Sequence, residues 1–297
     1  MKCLKIFINI LNDFLVCFYK SIKNTIDHDG IEHAGYLSFL FMLSIFPFLF
    51  FLMAIMKMIV PMILLEQSIA SFLNHYDIKP DNVIYFLKPS IYEITKSPPH
   101  RLLTLAVFSA IWTASSIFEA IRTILNKAHR VLQTPSYLFR RFISIIEFII
   151  VVLITIITIL FFVILPSLKS DIIHLFQLQD SYYYLLFEQK TQSLKDIIVP
   201  LYIFCLILFL YYCLPNKRQT IFASIPGTIL VILFWNIFTY LFKYYISTFS
   251  QLNVIYGSIV GVIIALLYFY FCSLIFIFGG EFNYYFFLTK KKNIEGL

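Results

Sequence analysis

Charged residues are scarce in this sequence. Asp, Glu, Lys and Arg make up 13% of its 297 residues and hydrophobic residues make up 60%, whereas soluble domains have about 25% and 45–50% of these classes. The composition excludes a soluble fold of this size, because the polar residues are too few to cover so much apolar surface. The net charge of +7 does not indicate nucleic-acid binding, because the cations lie in short groups beside apolar runs rather than on one solvated face.

Several common chemical motifs are also absent. The five cysteines include no C-x-x-C pair, which excludes the usual zinc and redox motifs. The sequence has no G-x-x-x-x-G-K-[ST] loop for nucleotide phosphates and no G-x-S-x-G nucleophile elbow. We therefore expect no metal, no cofactor and no catalytic residues.

Long apolar runs dominate what is present. Six of them approach the roughly 20 residues that a helix needs to cross the hydrocarbon core of a membrane. The predicted fold class is therefore all-α, a polytopic integral membrane protein with six transmembrane helices. The predicted spans are Tyr36–Val60, Leu102–Phe118, Ile143–Leu165, Ile197–Leu214, Ile221–Ile246 and Tyr256–Gly280.

The distribution of Lys and Arg predicts the orientation of these spans. Segments on the side of the N-terminus carry about twice as many cations as those on the other side, and cytoplasmic loops are enriched in Lys and Arg. Both termini are therefore predicted to be cytoplasmic. Two external segments, Pro61–His100 and Pro166–Asp196, mix charged and apolar residues and are predicted to form short helices that cap the bundle.

The first thirty residues are predicted to form a separate segment. Apolar residues recur there every three or four positions, which is typical of an amphipathic helix on the membrane surface. They are Leu4, Ile8, Leu11, Leu15, Phe18 and Ile22. The predicted domains are this segment at residues 1–30, the transmembrane domain at 31–288, and a basic cytoplasmic tail at 289–297.

Small residues and helix breakers indicate which helices are central. Two spans carry small residues at intervals of four, which predicts that they are the inner helices, because small side chains permit close packing in lipid. These residues are Ala106, Ala110 and Ala114 in the second span and Gly257, Gly261 and Ala265 in the sixth. Positions at or beside prolines and glycines are candidates for structural or hinge roles. They are Pro47, Pro226, Gly227, Tyr256 and Gly257.

Polar residues near the inner ends of the spans are the candidates for function, since an ionisable group in hydrocarbon is costly unless it is paired or wetted. One hypothesis is a polar vestibule between the second and sixth helices that accepts a charged lipid headgroup. The alternative is a set of ion pairs at the headgroup level that only stabilise the fold. The candidate vestibule residues are Glu119, Arg122, Asn126, Asn216, Glu281 and Asn283.

A short run before the first span contains residue types that bind metals. Asp27-His28-Asp29 is followed by Glu32-His33, but the run lacks H-E-x-x-H spacing and has no partner cluster elsewhere in the sequence. We therefore interpret it as the solvated entry to a helix rather than as a metal site.

An ordered set of short motifs covers nearly the whole chain. The motifs are Ala34-Gly35-Tyr36, Ser44-Ile45-Phe46-Pro47, Trp112-Thr113-Ala114-Ser115, Leu125-Asn126-Lys127, Tyr212-Cys213-Leu214-Pro215-Asn216, Pro226-Gly227, Tyr256-Gly257-Ser258 and Gly280-Glu281-Phe282-Asn283. On these residues the sequence resembles the YihY/BrkB family of bacterial inner-membrane proteins, once called ribonuclease BN. It departs from the family pattern at Gly35, where alanine is common, and at Tyr268, where tryptophan is frequent.

The resemblance implies six transmembrane helices, cytoplasmic termini and a role in the cell envelope. It implies a transporter or flippase of a lipid, such as a lipopolysaccharide precursor, or of another amphiphilic envelope precursor. The partners would be membrane lipids and not nucleic acid. A non-transporting envelope scaffold or interaction protein is the alternative that stays open. Ribonuclease activity is not expected, because the H-x-H-x-D-H cluster of the metal-dependent nucleases of that name is absent from the sequence.

Overall fold

The computed structural model describes residues 2–59, 100–131, 135–160, 182–217, 220–248 and 258–295. Within these ranges the regular elements are helices, which confirms the all-α class. Seven α-helices occur in the described ranges, and we number them in chain order. They are α1 Lys2–Asp27, α2 Gly30–Ile59, α3 His100–Ala128, α4 Tyr137–Ile159, α5 Tyr182–Cys213, α6 Ile221–Thr248 and α7 Ser258–Glu295.

Three of these helices contain a segment long and apolar enough to cross a membrane. The segments are Tyr137–Ile159 in α4, Ile221–Ile246 in α6 and Val260–Thr289 in α7. Two shorter apolar helices, Gly30–Ile45 and Ile197–Cys213, lie within α2 and α5. The presence of six transmembrane helices therefore stays a prediction. Hydropathy located the helices well, and the span predicted at Ile221–Ile246 differs from α6 by two residues at its end.

The segments predicted to cap the bundle fall largely outside the described residues. Residues 60–99 and 161–181 are not described. The remainder of the second segment, residues 182–196, forms the N-terminal part of α5 rather than a separate short helix.

The chain divides into two compact units. Unit 1 comprises Met1–Leu43, Ser116–Arg141 and Ile203–Leu297, and unit 2 comprises Ser44–Ser115 and Phe142–Tyr202. Unit 1 thus contains all of α1, α6 and α7. The predicted division into an N-terminal segment, a transmembrane domain and a basic tail stays a prediction.

Unit 2 is held by aromatic packing and by hydroxyl bonds between its helices. The ring of Phe148 on α4 lies 6.2 Å from that of Phe48 and 6.0 Å from that of Phe51, both on α2. The hydroxyls of Thr155 and Tyr202 are 2.6 Å apart and join α4 to α5. Pro47, a candidate structural or hinge residue, lies inside α2 in this unit.

In unit 1, helix α1 packs through small residues and through Phe18, whose ring lies 5.2 Å from that of Phe278 on α7. Cys17, Ser21 and Thr25, four residues apart, are buried, and the sulfur of Cys17 lies 3.3 Å from Thr289 Oγ1 on α7. Large apolar side chains on the same helix stay exposed, among them Leu15 at 54% and Ile26 at 57%. The predicted helix is confirmed, and its exposed apolar face is the kind of surface that lies in a membrane interface.

Helices α6 and α7 approach most closely at two glycines. A Cβ atom on Gly227 would collide with the carbonyl oxygen of Gly279, and a Cβ atom on Gly279 would collide with the side chain of Val231. The backbones are therefore so close that only glycine fits. The backbone N–H of Gly227 also donates to Asn283 Oδ1 at 2.7 Å. The candidate pair Pro226-Gly227 thus lies at this contact between the helices.

The predicted close packing at Gly261 is wrong for the described part of the chain. No heavy atom lies within 4 Å of a Cβ atom built on this residue. Ala114, by contrast, is buried at 2% exposure. Tyr256 and Gly257 lie outside the described residues.

Candidate functional site

Glu281 of α7 has a carboxyl group that is buried in unit 1. The residue is 1% exposed although it lies within the apolar segment Val260–Thr289. Its Oε1 lies 2.7 Å from His28 Nδ1 and 3.5 Å from Arg130 Nη1. Its other oxygen, Oε2, is buried and has no hydrogen-bond partner among the described residues. A buried carboxyl group with one unsatisfied oxygen is costly, so its presence calls for a functional explanation.

His28 Nδ1 lies between two side chains that compete for it. His28 Nδ1 lies 2.8 Å from Arg130 Nη1 and 2.7 Å from Glu281 Oε1. A guanidinium group only donates hydrogen bonds, so its bond to Nδ1 requires that this nitrogen carry no hydrogen. The unprotonated Nδ1 has a single lone pair, so a protonated Glu281 carboxyl group would compete with Arg130 for it. If His28 Nδ1 is protonated instead, it donates to Glu281 and the bond from Arg130 is lost.

Arg130 reaches this cluster from a left-handed backbone conformation. Its φ is 58°, and the Val131 N–H donates to the Asn126 carbonyl at 2.9 Å. This arrangement is a Schellman ending of helix α3, in which the left-handed position usually belongs to glycine. The Arg130 side chain donates to Asn24 Oδ1 at 3.3 Å and to the Tyr285 hydroxyl at 3.4 Å. Arg130 occupies a position that usually favours glycine, and its guanidinium group makes several contacts. This combination indicates that the side chain, and not only the turn, is needed at this position.

Tyr284 lies between two cations beside this cluster. The Arg130 guanidinium is 5.1 Å and the Lys217 ammonium 4.9 Å from the centre of its ring. Both distances are within the range of cation–π attraction. Lys217 also donates to the carbonyl oxygen of His129 at 3.1 Å. Positive charge is therefore gathered around the end of α3 that faces α7.

The run predicted to be a solvated helix entry forms the turn between α1 and α2. Asp29 has a φ of 57° and its Oδ2 lies 2.6 Å from Lys127 Nζ. This hydrogen bond and the charge of Lys127 hold the pKa of Asp29 below its ordinary value. Because His28 bonds to Glu281 and Asp29 to Lys127, both side chains are used in contacts within unit 1.

Three of the predicted vestibule residues hold the turn after α5 in place. Arg122 Nη1 donates to the Leu214 carbonyl at 3.0 Å and lies 3.4 Å from Asn216 Oδ1. The backbone N–H of Asn216 donates to Asn126 Oδ1 at 2.7 Å. A cation at the C-terminus of a helix is favourable because the last carbonyl groups there lack partners. Arg122 and Asn126 are buried, and Asn216 is exposed.

The other two predicted residues lie in separate contacts. Glu119 Oε1 pairs with Arg140 Nε at 3.3 Å, and Asn283 Oδ1 accepts the bond from Gly227 described above. Unit 1 therefore brings Arg122, Asn126 and Asn216 together, while Glu119, Glu281 and Asn283 each belong to a different group of contacts.

Comparison with known protein families identifies one family that matches most of the chain. The family model described as virulence factor BrkB matches residues 21–295. The chain belongs to this family. Membership, together with the apolar helices α4, α6 and α7, identifies an integral membrane protein of the BrkB family.

One relative of this BrkB-family chain comes from Bacillus subtilis (strain 168) and is named ribonuclease-like protein YfkH. The two sequences are 27% identical over 274 residues, which cover 90% of this chain and 93% of the relative. None of the solved structures matches the chain. Membership of the BrkB family establishes the membrane class and does not by itself establish an enzymatic activity.

Two residues of the Glu281 cluster were not among the predicted site residues of this BrkB-family protein. His28 belongs to the run interpreted as a helix entry, and Arg130 counted only as a cation on the predicted cytoplasmic side. Their partner Glu281 is 253 residues from His28 and 151 residues from Arg130 in the sequence. The sequence shows only that His28 and Arg130 each lie just beyond the end of a helix, and this position does not identify their partner.

Proposed function

We propose that this protein is a transporter or flippase of a lipid or another amphiphilic envelope precursor. It would work in the bacterial inner membrane with six transmembrane helices and with both termini in the cytoplasm. It would act without a cofactor and without enzymatic catalysis, and its partners would be membrane lipids rather than nucleic acid. The vestibule hypothesis is retained in narrower form, with Glu281, His28 and Arg130 as the groups that respond to a charged headgroup.

The observation that carries this proposal is the burial of Glu281 on an apolar helix. Ionisable groups at such positions are rare, costly and associated with substrate or proton pathways. Glu281 has one oxygen without a hydrogen-bond partner among the described residues, and its other oxygen faces His28 and Arg130. A buried carboxyl group in contact with a histidine and an arginine is a candidate to respond when a charged headgroup arrives.

The proposed orientation predicts the results of reporter fusions. Fusions after Lys292 and within residues 130–135 are expected to report the cytoplasm, and a fusion at Gln179 is expected to report the exterior. The physical reason is the excess of Lys and Arg on the side of the termini. The measurement is paired alkaline phosphatase and green fluorescent protein activity at each site. A cytoplasmic result at Gln179 would overturn the orientation.

The scaffold alternative has its own supporting observation. Arg122, Asn126 and Asn283 are buried and bond to backbone groups of neighbouring segments. Such bonds stabilise one arrangement of the helices and do not indicate a change of conformation of the kind that transport requires. A scaffold that presents a fixed surface would need nothing more.

The test measures lipid movement and folding on the same variants. The protein is reconstituted into liposomes of phosphatidylethanolamine and phosphatidylglycerol with a trace of lipid carrying a fluorescent acyl chain. Dithionite, which does not cross the membrane, reports how fast labelled lipid changes leaflet. Glu281→Gln is expected to slow this movement about tenfold, the effect of roughly 1.4 kcal/mol, because it removes charge with little change of volume. The exposed Glu32→Gln is the matched control and is expected to behave as the wild type.

Thermal unfolding in detergent shows whether both variants remain folded. If wild-type liposomes move lipid no faster than liposomes without protein, the transport proposal is wrong and the scaffold is favoured. If Glu281→Gln moves lipid at the wild-type rate, Glu281 has no part in transport.

A further inference from the structure

Helices α6 and α7 separate towards one end of unit 1. Gly261 and Gly279 are 18 residues apart on α7, about five helical turns, so they lie on the same face of the helix. At Gly279 the backbone of α6 is in direct contact, whereas no heavy atom of the described residues lies within 4 Å of a Cβ atom at Gly261. The space between the two helices therefore opens into a groove at the end of α7 opposite Glu281.

The walls of the groove that the structure describes are apolar and include one cation. Its volume is about 570 Å³, and its walls include Phe242 and Ile246 of α6 and Ala265 of α7. Lys243 also lines it and is exposed. Because the remaining walls are apolar apart from hydroxyl groups, a ligand that fits must combine an apolar body with a negative charge near Lys243.

A second cavity lies next to the groove, towards the middle of α7. It has a volume of about 240 Å³ and shares Tyr268 and Phe269 with the groove. Its walls include Leu37, Ile121 and Trp235. An apolar cavity of about 150 Å³ is already large enough to bind benzene. This cavity therefore has room for several methylene groups of a chain that enters through the groove.

The distances fit an acyl chain. Gly261 and Cys272 are 11 residues apart on α7, which corresponds to about 16 Å of helix. Half the hydrocarbon thickness of a bilayer is about 15 Å. A chain whose headgroup lies beside Lys243 at the membrane interface would therefore reach the second cavity with its terminal half.

We propose that this groove and cavity bind one acyl chain of an anionic phospholipid, with the headgroup held by Lys243 and the chain end beside Trp235. The proposal concerns binding and stands whether or not the protein transports lipid. The charge of Lys243 selects the headgroup, and the separation of α6 from α7 at Gly261 admits the chain.

Trp235 provides the readout. The sequence contains two tryptophans, so the variant Trp112→Phe leaves Trp235 as the single tryptophan, which is excited selectively at wavelengths that tyrosine does not absorb. Its indole N–H donates to the Cys272 carbonyl at 2.9 Å, which fixes the ring at the cavity wall. Phosphatidylglycerol with bromine atoms near the end of its acyl chains is added to the full chain in detergent, and phosphatidylcholine with the same chains is added in parallel. Bromine quenches tryptophan only at contact distance.

We expect saturable quenching of Trp235, with half-saturation at about fivefold lower phosphatidylglycerol than phosphatidylcholine, the effect of one lysine near an anionic lipid. Lys243→Gln is expected to abolish the preference and keep the quenching. Gly261→Leu is expected to weaken quenching by both lipids, because the new side chain fills the groove. The matched control is Gly35→Leu, since Gly35 also has no heavy atom within 4 Å of a Cβ position.

Quenching that rises in proportion to lipid without saturating, or that Gly261→Leu leaves unchanged, would overturn the site. Equal half-saturation for the two lipids would overturn the choice of an anionic lipid. Thermal unfolding identifies any variant that fails to fold. If Gly261→Leu is such a variant, the comparison of the wild type with the exposed Lys243→Gln decides the proposal.

Discussion

Gly227→Ala is expected to destabilise the protein by about 1 to 3 kcal/mol, although it adds a single methyl group. The new Cβ would lie against the Gly279 carbonyl oxygen and 2.5 Å from Asn283 Oδ1. Since the first of these atoms belongs to the backbone of α7, relief requires that two helices move apart. Thermal unfolding in detergent, followed by circular dichroism, measures the loss.

Gly261→Ala provides the control for this prediction. It makes the same chemical change in helix α7 at a position with open space. Alanine is favoured over glycine in a helix by about 1 kcal/mol, so the unfolding temperature is expected to stay the same or rise. If Gly227→Ala and Gly261→Ala lower the unfolding temperature equally, Gly227 is not needed for the close approach of α6 to α7.

The second large effect is expected from Arg130→Gln. Removing one partner of a buried ion pair costs about 3 to 5 kcal/mol, and we expect the lower end because Arg130 is partly exposed and His28 remains beside Glu281. The double variant Arg130→Gln with Glu281→Gln is expected to be more stable than Arg130→Gln alone, because it no longer buries an unmatched carboxylate. Chemical denaturation of the wild type, the two single variants and the double variant measures the coupling.

Lys127→Gln is the matched control for charge removal at the same helix end. It breaks the ion pair with Asp29, whose side chain is 62% exposed, and exposed pairs contribute about 0 to 1 kcal/mol. If the double variant is less stable than Arg130→Gln, the carboxyl group of Glu281 does not depend on Arg130 and the assignment of this pair is wrong.

Hydropathy predicted where helices lie better than it predicted where they end. The fifth predicted span agrees closely with α6, because Lys217 and Arg218 precede it and no charged residue occurs from Ile221 until Lys243. The sixth predicted span stopped at Gly280, whereas α7 continues to Glu295. The reason is physical, since Glu281 and Lys290 end an apolar run but do not break a helix.

The individual site residues could be predicted from the sequence, but their partners could not. Glu281 is recognisable as an ionisable residue on an apolar helix, yet nothing local in the sequence indicates that His28 and Arg130 face it. Glycine is ambiguous for a similar reason. Gly227 and Gly261 are the same residue type in similar helices. The neighbouring helix leaves no room for a side chain at Gly227, whereas the space at Gly261 is open.

The contact between α1 and α7 has a consequence for biosynthesis. Cys17 and Thr289 are 272 residues apart in the sequence, and the ribosome adds about 5 to 20 residues per second. Helix α1 therefore emerges many seconds before its packing partner exists. An exposed apolar face such as that of α1 is suited to bind the membrane surface during this interval. The Glu281 cluster then assembles late, when α7 inserts and meets residues that were synthesised first.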